Sequence, residues 1–172
     1  MLDAFSMHTM TPHTLILGIG NEWARDDGVG PEVVRRVQQS WLARGSNATR
    51  EVGFVAMARP DLSLLDLMAE TDYLVIVDAV VSGAEPGTLH WQLWKMGVAA
   101  SRGVERASSH GFGVEELLQM ARALGKLPER VELWGIEIAC TAPGRGLTPA
   151  VARAADALVS KLEAHAMGSC GG

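Results

Sequence analysis

Two adjacent carboxylates, Asp26 and Asp27, stand in a glycine-rich loop that follows the apolar run Thr14-Leu-Ile-Leu-Gly-Ile-Gly20. A third carboxylate, Asp78, closes a second apolar run that begins at Tyr73, and an imidazole, His110, sits in the turn Ser108-Ser-His-Gly-Phe-Gly113. Carboxylate oxygens and an imidazole nitrogen are good ligands for a divalent first-row metal, and three protein ligands leave positions for water or a substrate carbonyl. A metal held this way polarises a carbonyl and lowers the pKa of bound water enough to supply a nucleophile near neutral pH. The chemistry in outline is hydrolysis, with Asp27, Asp78 and His110 as the candidate groups.

Taken singly, each residue has an ordinary explanation. Asp26 or Asp27 at the start of a helix meets free backbone donors and a favourable dipole. Asp78 suits a turn at a strand end, and His110 suits a polar loop that starts the next helix. Three residues of the right type at three loop positions make the stronger case together. Of the paired carboxylates, Asp26 is expected to cap a helix or support the site from behind. The Gly18-x-Gly20 pair suggests a dinucleotide loop, but position 23 is Trp where a third glycine belongs, and two carboxylates would repel a pyrophosphate. Neither a G-x-S-x-G elbow nor an H-E-x-x-H helix occurs. His8, His13, His90 and His165 are expected to be solvated.

The elements that must position these residues follow from the apolar periodicity. Strand-length apolar runs alternate with stretches of helical period, the pattern of a single α/β domain whose sheet carries helices on both faces. Strands are predicted at Leu15–Ile19, Thr49–Ala56, Tyr73–Val77, Gly87–Trp94 and Arg130–Ile138, the fourth near the sheet edge because it alternates polar and apolar residues. The first helix opens at Gly30-Pro31 and buries Val33, Val34, Val37 and Trp41. A short helix opens at Pro60, with Leu62, Leu65, Leu67 and Met68 turned inward. Another runs from Val114 to Leu124, and a last one starts at Thr148-Pro149 with Thr148 as its cap. Open α/β sheets place their working residues just beyond the carboxyl ends of the strands, and Asp27 and Asp78 both follow such strands.

Composition narrows the partners. A 172-residue chain with 48% hydrophobic residues buries a real core, and it forms one domain over residues 14–167, with loose ends at 1–13 and 168–172. A formal charge of −5 without a Lys/Arg run argues against nucleic acid or an anionic membrane as partner. Nothing resembles a signal peptide or a membrane span, and the two cysteines, Cys140 and Cys170, form no C-x-x-C pair. A cytoplasmic location is expected, and a monomer is favoured.

The ordered set Leu17-Gly-Ile-Gly-Asn-(x4)-Asp-Asp-Gly-Val-Gly30, Val75-Ile-Val-Asp-Ala79 and Ser109-His-Gly111 resembles the maturation endopeptidases of nickel-iron hydrogenases, over roughly residues 14 to 140. The resemblance implies a twisted five-stranded sheet between helices. It also implies a task, removal of a C-terminal extension from the hydrogenase large-subunit precursor once the nickel-iron centre is assembled. Residue by residue, Asp27, Asp78 and His110 fall on the family's three metal-contacting positions, and Asn21 helps shape the site. Asp27 stands where many members have the longer glutamate. The D-G-G-T-like segment of many relatives is replaced by Val55-Ala-Met-Ala-Arg-Pro-Asp-Leu62, and the Pro60–Leu62 and Ser109–Gly113 segments look more like the branch that serves NAD-reducing bidirectional hydrogenases.

On this resemblance the three residues read nickel already held by the substrate, so that only loaded subunits are cut, a selection by difference of affinities. Two rival readings stand beside it. One is a non-catalytic, nickel-dependent checkpoint or chaperone using the same residues, and the other is a nucleotide-binding α/β domain built on Gly18 and Gly20.

Overall fold

The computed structural model describes residues 14–44, 52–95, 105–106 and 113–168, with 105–106 and 166–168 described by their backbone alone. The chain runs β1 (Thr14–Ile19), a 3-10 turn (Arg25–Gly28), α1 (Val29–Ala43), β2 (Val52–Met57), α2 (Leu64–Ala69), β3 (Tyr73–Val81) and β4 (Leu89–Leu93). It continues through β5 (Glu105–Arg106), α3 (Val114–Ala123), β6 (Arg130–Glu137) and α4 (Pro149–Gly168). Five strands form the path β2-β1-β3-β6-β4, parallel throughout except β4, which pairs antiparallel with β6 at the edge. This is the five-stranded α/β sheet expected from the alternation, with the two-residue β5 as an addition.

Two apolar layers hold the sheet. On one face Leu15, Leu17, Ile19, Leu74, Ile76 and Leu133 pack with Leu64, Met68, Leu117 and Leu118 of α2 and α3. On the other face Ile16, Val75, Val77 and Ile136 meet Val33, Val34 and Val37 of α1 and Val151, Ala155, Leu158 and Leu162 of α4. Alternate residues of β1 and β3 therefore serve opposite layers, and strands buried on both sides read as unbroken apolar runs. Each fully buried aliphatic side chain contributes about 1.5–3 kcal/mol by leaving water.

Several expectations shift. Strand β3 does not stop at Val77 but continues to Val81, because β6 pairs with it as far as Val80–Glu137. It thereby outruns β1, whose paired residues reach only Val77, and β5 takes the vacated side by pairing Val80 with Arg106 and Val81 with Glu105. The short helix begins at Leu64, and it turns Leu64, Leu65 and Met68 inward while Leu62 and Leu67 stay exposed. Leu124 is likewise exposed at the end of α3. The expected loose ends lie outside the described residues, except Gly168, the last residue of α4. Among the described residues no helix is long and apolar enough to cross a membrane, and Cys140 is a free thiol.

Candidate active site

In the order β2-β1-β3 the chain leaves β1 toward one neighbour and returns to the other, so the crevice beyond the carboxyl ends of β1 and β3 is a topological switch point. Glycines let α1 come down onto that crevice. A Cβ at Gly30, in the first turn of α1, would overlap the carbonyl oxygens of Ile19, the last residue of β1, and Val77, the last residue of β3 paired with β1. A Cβ at Gly18 would in turn overlap the Gly30 carbonyl, and Gly20, at φ 146°, lies against the carbonyl of Asp27. The glycine loop is therefore a packing device that seats the 3-10 turn carrying Asp27 against β3.

Asp27 and Asp78 arrive at the same edge from these two elements. Asp27 is half-buried, and its Oδ2 accepts the Asn21 backbone N–H at 2.9 Å. Its Oδ1 takes no hydrogen bond among the described residues. Asn21 bonds on both sides within the loop: its side-chain oxygen accepts the Trp23 N–H at 3.0 Å while its own N–H donates to Asp27. Asp78 is half-buried too, and its Oδ1 accepts the Ala79 N–H at 2.8 Å. It lies inside β3 rather than after it, opposite Gly135 of β6. His110 lies outside the described residues, and among those described no three histidine, cysteine or carboxylate side chains group around a common metal position.

Asp26 departs from the capping expectation. Neither the 3-10 turn nor α1 has a side-chain cap, and Asp26 turns inward, 0% exposed. There its carboxylate accepts the N–H groups of Ala139, Cys140 and Thr148 and the Thr148 hydroxyl, at 3.1, 3.0, 2.6 and 2.9 Å. Thr148 still precedes α4, but its hydroxyl donates to Asp26. The carboxylate thus ties the connection between β6 and α4 to the turn that holds Asp27.

A second buried carboxylate was invisible in the sequence. Glu137, at the end of β6, accepts the N–H groups of Ser82 and Gly83 and the Ser82 hydroxyl, and lies 3.1 Å from His90 Nε2. Burial pushes its pKa up, but these donors outweigh burial and hold the carboxyl below the ordinary glutamate range. Glu137 therefore fixes the chain as it leaves β3, four residues past Asp78. His90, expected to be solvated, is half-buried against it. The only sequence signal was a carboxylate ending an apolar strand.

The hydrogenase maturation protease family model (HycI) matches residues 59–165, more than half of the chain. The chain belongs to the hydrogenase maturation protease family. By class it is a peptidase. It is 31% identical over 126 residues to the hydrogenase expression/formation protein HupD of Thiocapsa roseopersicina, a match covering 73% of this chain and about half, 54%, of that relative. With the hydrogenase 2 maturation protease of Escherichia coli (strain K12) it shares 29% identity over 138 residues, covering 80% of each. The structure of the hydrogenase maturating endopeptidase HybD from E. coli has the same fold, with a TM-score of 0.70 at 23% identity over 93% of this chain and 94% of that one.

Proposed function

We propose that this maturation protease removes a C-terminal extension from the large-subunit precursor of a nickel-iron hydrogenase after nickel insertion, using Asp27, Asp78 and His110 to contact the substrate's nickel. The observation that carries the reading is the approach of Gly30 to the Ile19 and Val77 carbonyls, which brings the Asp27 turn beside the residue preceding Asp78. Two carboxylates at a switch-point crevice, each anchored through one oxygen by a backbone N–H, supply two of the three proposed donors for a divalent cation. Arg106 pairs with Val80, and His110 follows four residues later, a stretch that spans up to about 14 Å.

In this reading the nickel belongs to the substrate, and the protease contributes ligands that a nickel-free precursor cannot engage. Engagement aligns the scissile peptide at the crevice, and positioning of this kind lowers the entropic part of the barrier. Water is the co-substrate, its oxygen ending on the new carboxyl group. Cleavage separates the extension from the body of the subunit. The protein acts in the cytoplasm on a protein partner, as a monomer.

Mass spectrometry of a co-expressed large subunit tests the reading, with wild type or Asp78→Ala in nickel-replete and nickel-depleted cells. Loss of a C-terminal peptide only with wild type and nickel is the expected result. A full-length subunit that co-purifies with the protein under nickel would favour the checkpoint role instead.

A further inference from the structure

Beside the Asp27 turn a cleft of about 670 Å³ opens between the 3-10 turn, the first turns of α1 and the segment Arg145–Leu147. Its charged lining is Glu22, Arg25, Glu32, Arg35, Arg36 and Arg145, four cations against two anions, a local surplus of two in a chain of formal charge −5. The cations are not equally engaged. Arg35 bonds both Glu22 and Glu32, and Arg36 bonds Glu32 and Asp156 at 2.7 and 2.6 Å. Arg145 only grazes Glu22 at 3.5 Å, is 62% exposed, and lies over the Trp23 ring at 4.4 Å. Arg25 has no ion-pair partner among the described residues.

Arg25 is also the one non-glycine residue with positive φ among those described, at 46°. That conformation costs about 1–2 kcal/mol for a residue with a Cβ, and residues held in it gather at functional sites. Local backbone bonds hold it: the Arg25 N–H donates to Gly144 at 2.9 Å, and the Gly144 N–H donates to Trp23 at 2.8 Å. The same staple brings Trp23, 64% exposed, under the guanidinium of Arg145, which lines the cleft, so the indole borders the cleft through Arg145. An exposed indole, two available guanidinium forks and an apolar wall of Leu147 and Ala152 together suit a peptide bearing carboxylates, since planar forks match two-oxygen anions. A surplus of two charges is small for a phosphate polymer, which engages many cations at once.

We infer that Trp23, Arg25 and Arg145 form a subsite for a carboxylate-bearing segment of the polypeptide substrate. The inference rests on the peptidase reading above and adds to it how the chain beside the scissile bond is held. Arg25 lies two residues from Asp27, so a peptide seated on the lip is adjacent to the crevice.

The test is fluorescence anisotropy with a short fluorescein-labelled peptide alternating Glu with Val, and the same peptide with Gln for Glu. Wild type and Asp78→Ala are expected to bind the Glu peptide alike. The double variant Arg25→Asn, Arg145→Gln should bind it about tenfold or more weakly, as loss of charge-assisted bonds implies. Asn tolerates the left-handed backbone at 25, and Arg145→Gln alone, at an exposed position, should give an intermediate loss with an unchanged melting temperature. The Glu peptide should also slow precursor cleavage by wild type. Equal binding by wild type and the double variant, no preference for Glu over Gln, or binding without inhibition would each overturn the subsite. A wild type that binds the peptide as expected but leaves nickel-loaded precursor intact would instead count against the peptidase reading alone.

Discussion

The carboxylate of Asp26 grips Thr148 twice across 122 positions of sequence, through the backbone N–H at 2.6 Å and the hydroxyl at 2.9 Å. With Ala139 and Cys140 it satisfies four donors from one fully buried anion. Asp26→Asn replaces one acceptor oxygen by an NH2 group that faces donors, leaving buried groups unpaired at about 1–3 kcal/mol each. The expected loss is about 3 kcal/mol, read as a fall of roughly 10 °C in melting temperature. A variant that melts with wild type would show that these bonds do not hold α4 to the Asp27 turn.

Substitution of two glycines separates steric need from backbone preference. Gly30→Ala drives a methyl group into the carbonyl oxygens of two strands, and backbone cannot rotate away as a side chain can. Gly83, at φ 87°, has open space around its missing Cβ, so Gly83→Ala meets only the left-handed penalty of about 1–2 kcal/mol. Chemical denaturation should rank Gly30→Ala clearly below Gly83→Ala, and precursor cleavage should fall with Gly30→Ala because the Asp27 turn loses its seat. The reverse ranking would remove α1 packing as the device that builds the crevice.

The legible part of this molecule was local. Gly18, Gly20 and Gly30 after an apolar run marked the strand, loop and helix at the opening, and the i, i+1, i+4 spacing of Val33, Val34 and Val37 gave the buried face of α1. What stayed hidden depends on residues distant in sequence. The end of β3 is set by pairing with Glu137 and Arg106 rather than by its own apolar run, so Asp78 read as a loop residue. Asp26 reads as a cap or as support from behind, and the choice between them is set by partners over a hundred residues away, while His90 reads as solvated because Glu137 comes from another strand. Type and order single out Asp27 and Asp78 as candidates, and His110 lies outside the described residues.

Acid should loosen the exit of β3 through Glu137. Its folded pKa lies below the unfolded value of about 4.3, so its contribution is complete above that pH and is lost as pH falls through the folded pKa. Glu137→Gln abolishes this titration while keeping one acceptor. The variant should melt lower than wild type at neutral pH, and the two melting curves should converge as the buffer is acidified through the lowered folded pKa. Glu132, buried and also depressed against burial by Arg130, Trp91, Tyr73 and Trp134, leaves a residual acid sensitivity in the variant. A gap that stays constant with pH would mean that Glu137 stabilises by packing and not by charge.

The charge and the length of Asp27 can be tested apart. Asp27→Asn keeps a carbonyl oxygen to accept the Asn21 N–H, so the loop retains its shape and the half-buried position keeps its stability. Under the proposed function it removes an anionic donor to the substrate's nickel, and precursor cleavage should fall on the order of 100-fold or more. Asp27→Glu restores the charge on the longer arm common among the relatives this opening resembles. Its cleavage rate should stay within about tenfold of wild type, since the extra methylene changes reach and not ligand type. Single-turnover cleavage of nickel-loaded precursor reads both variants. Wild-type rates from Asp27→Asn would show that the carboxylate does not act on the metal, and would move the search for the working acid or base to Asp78 and the segment around His110.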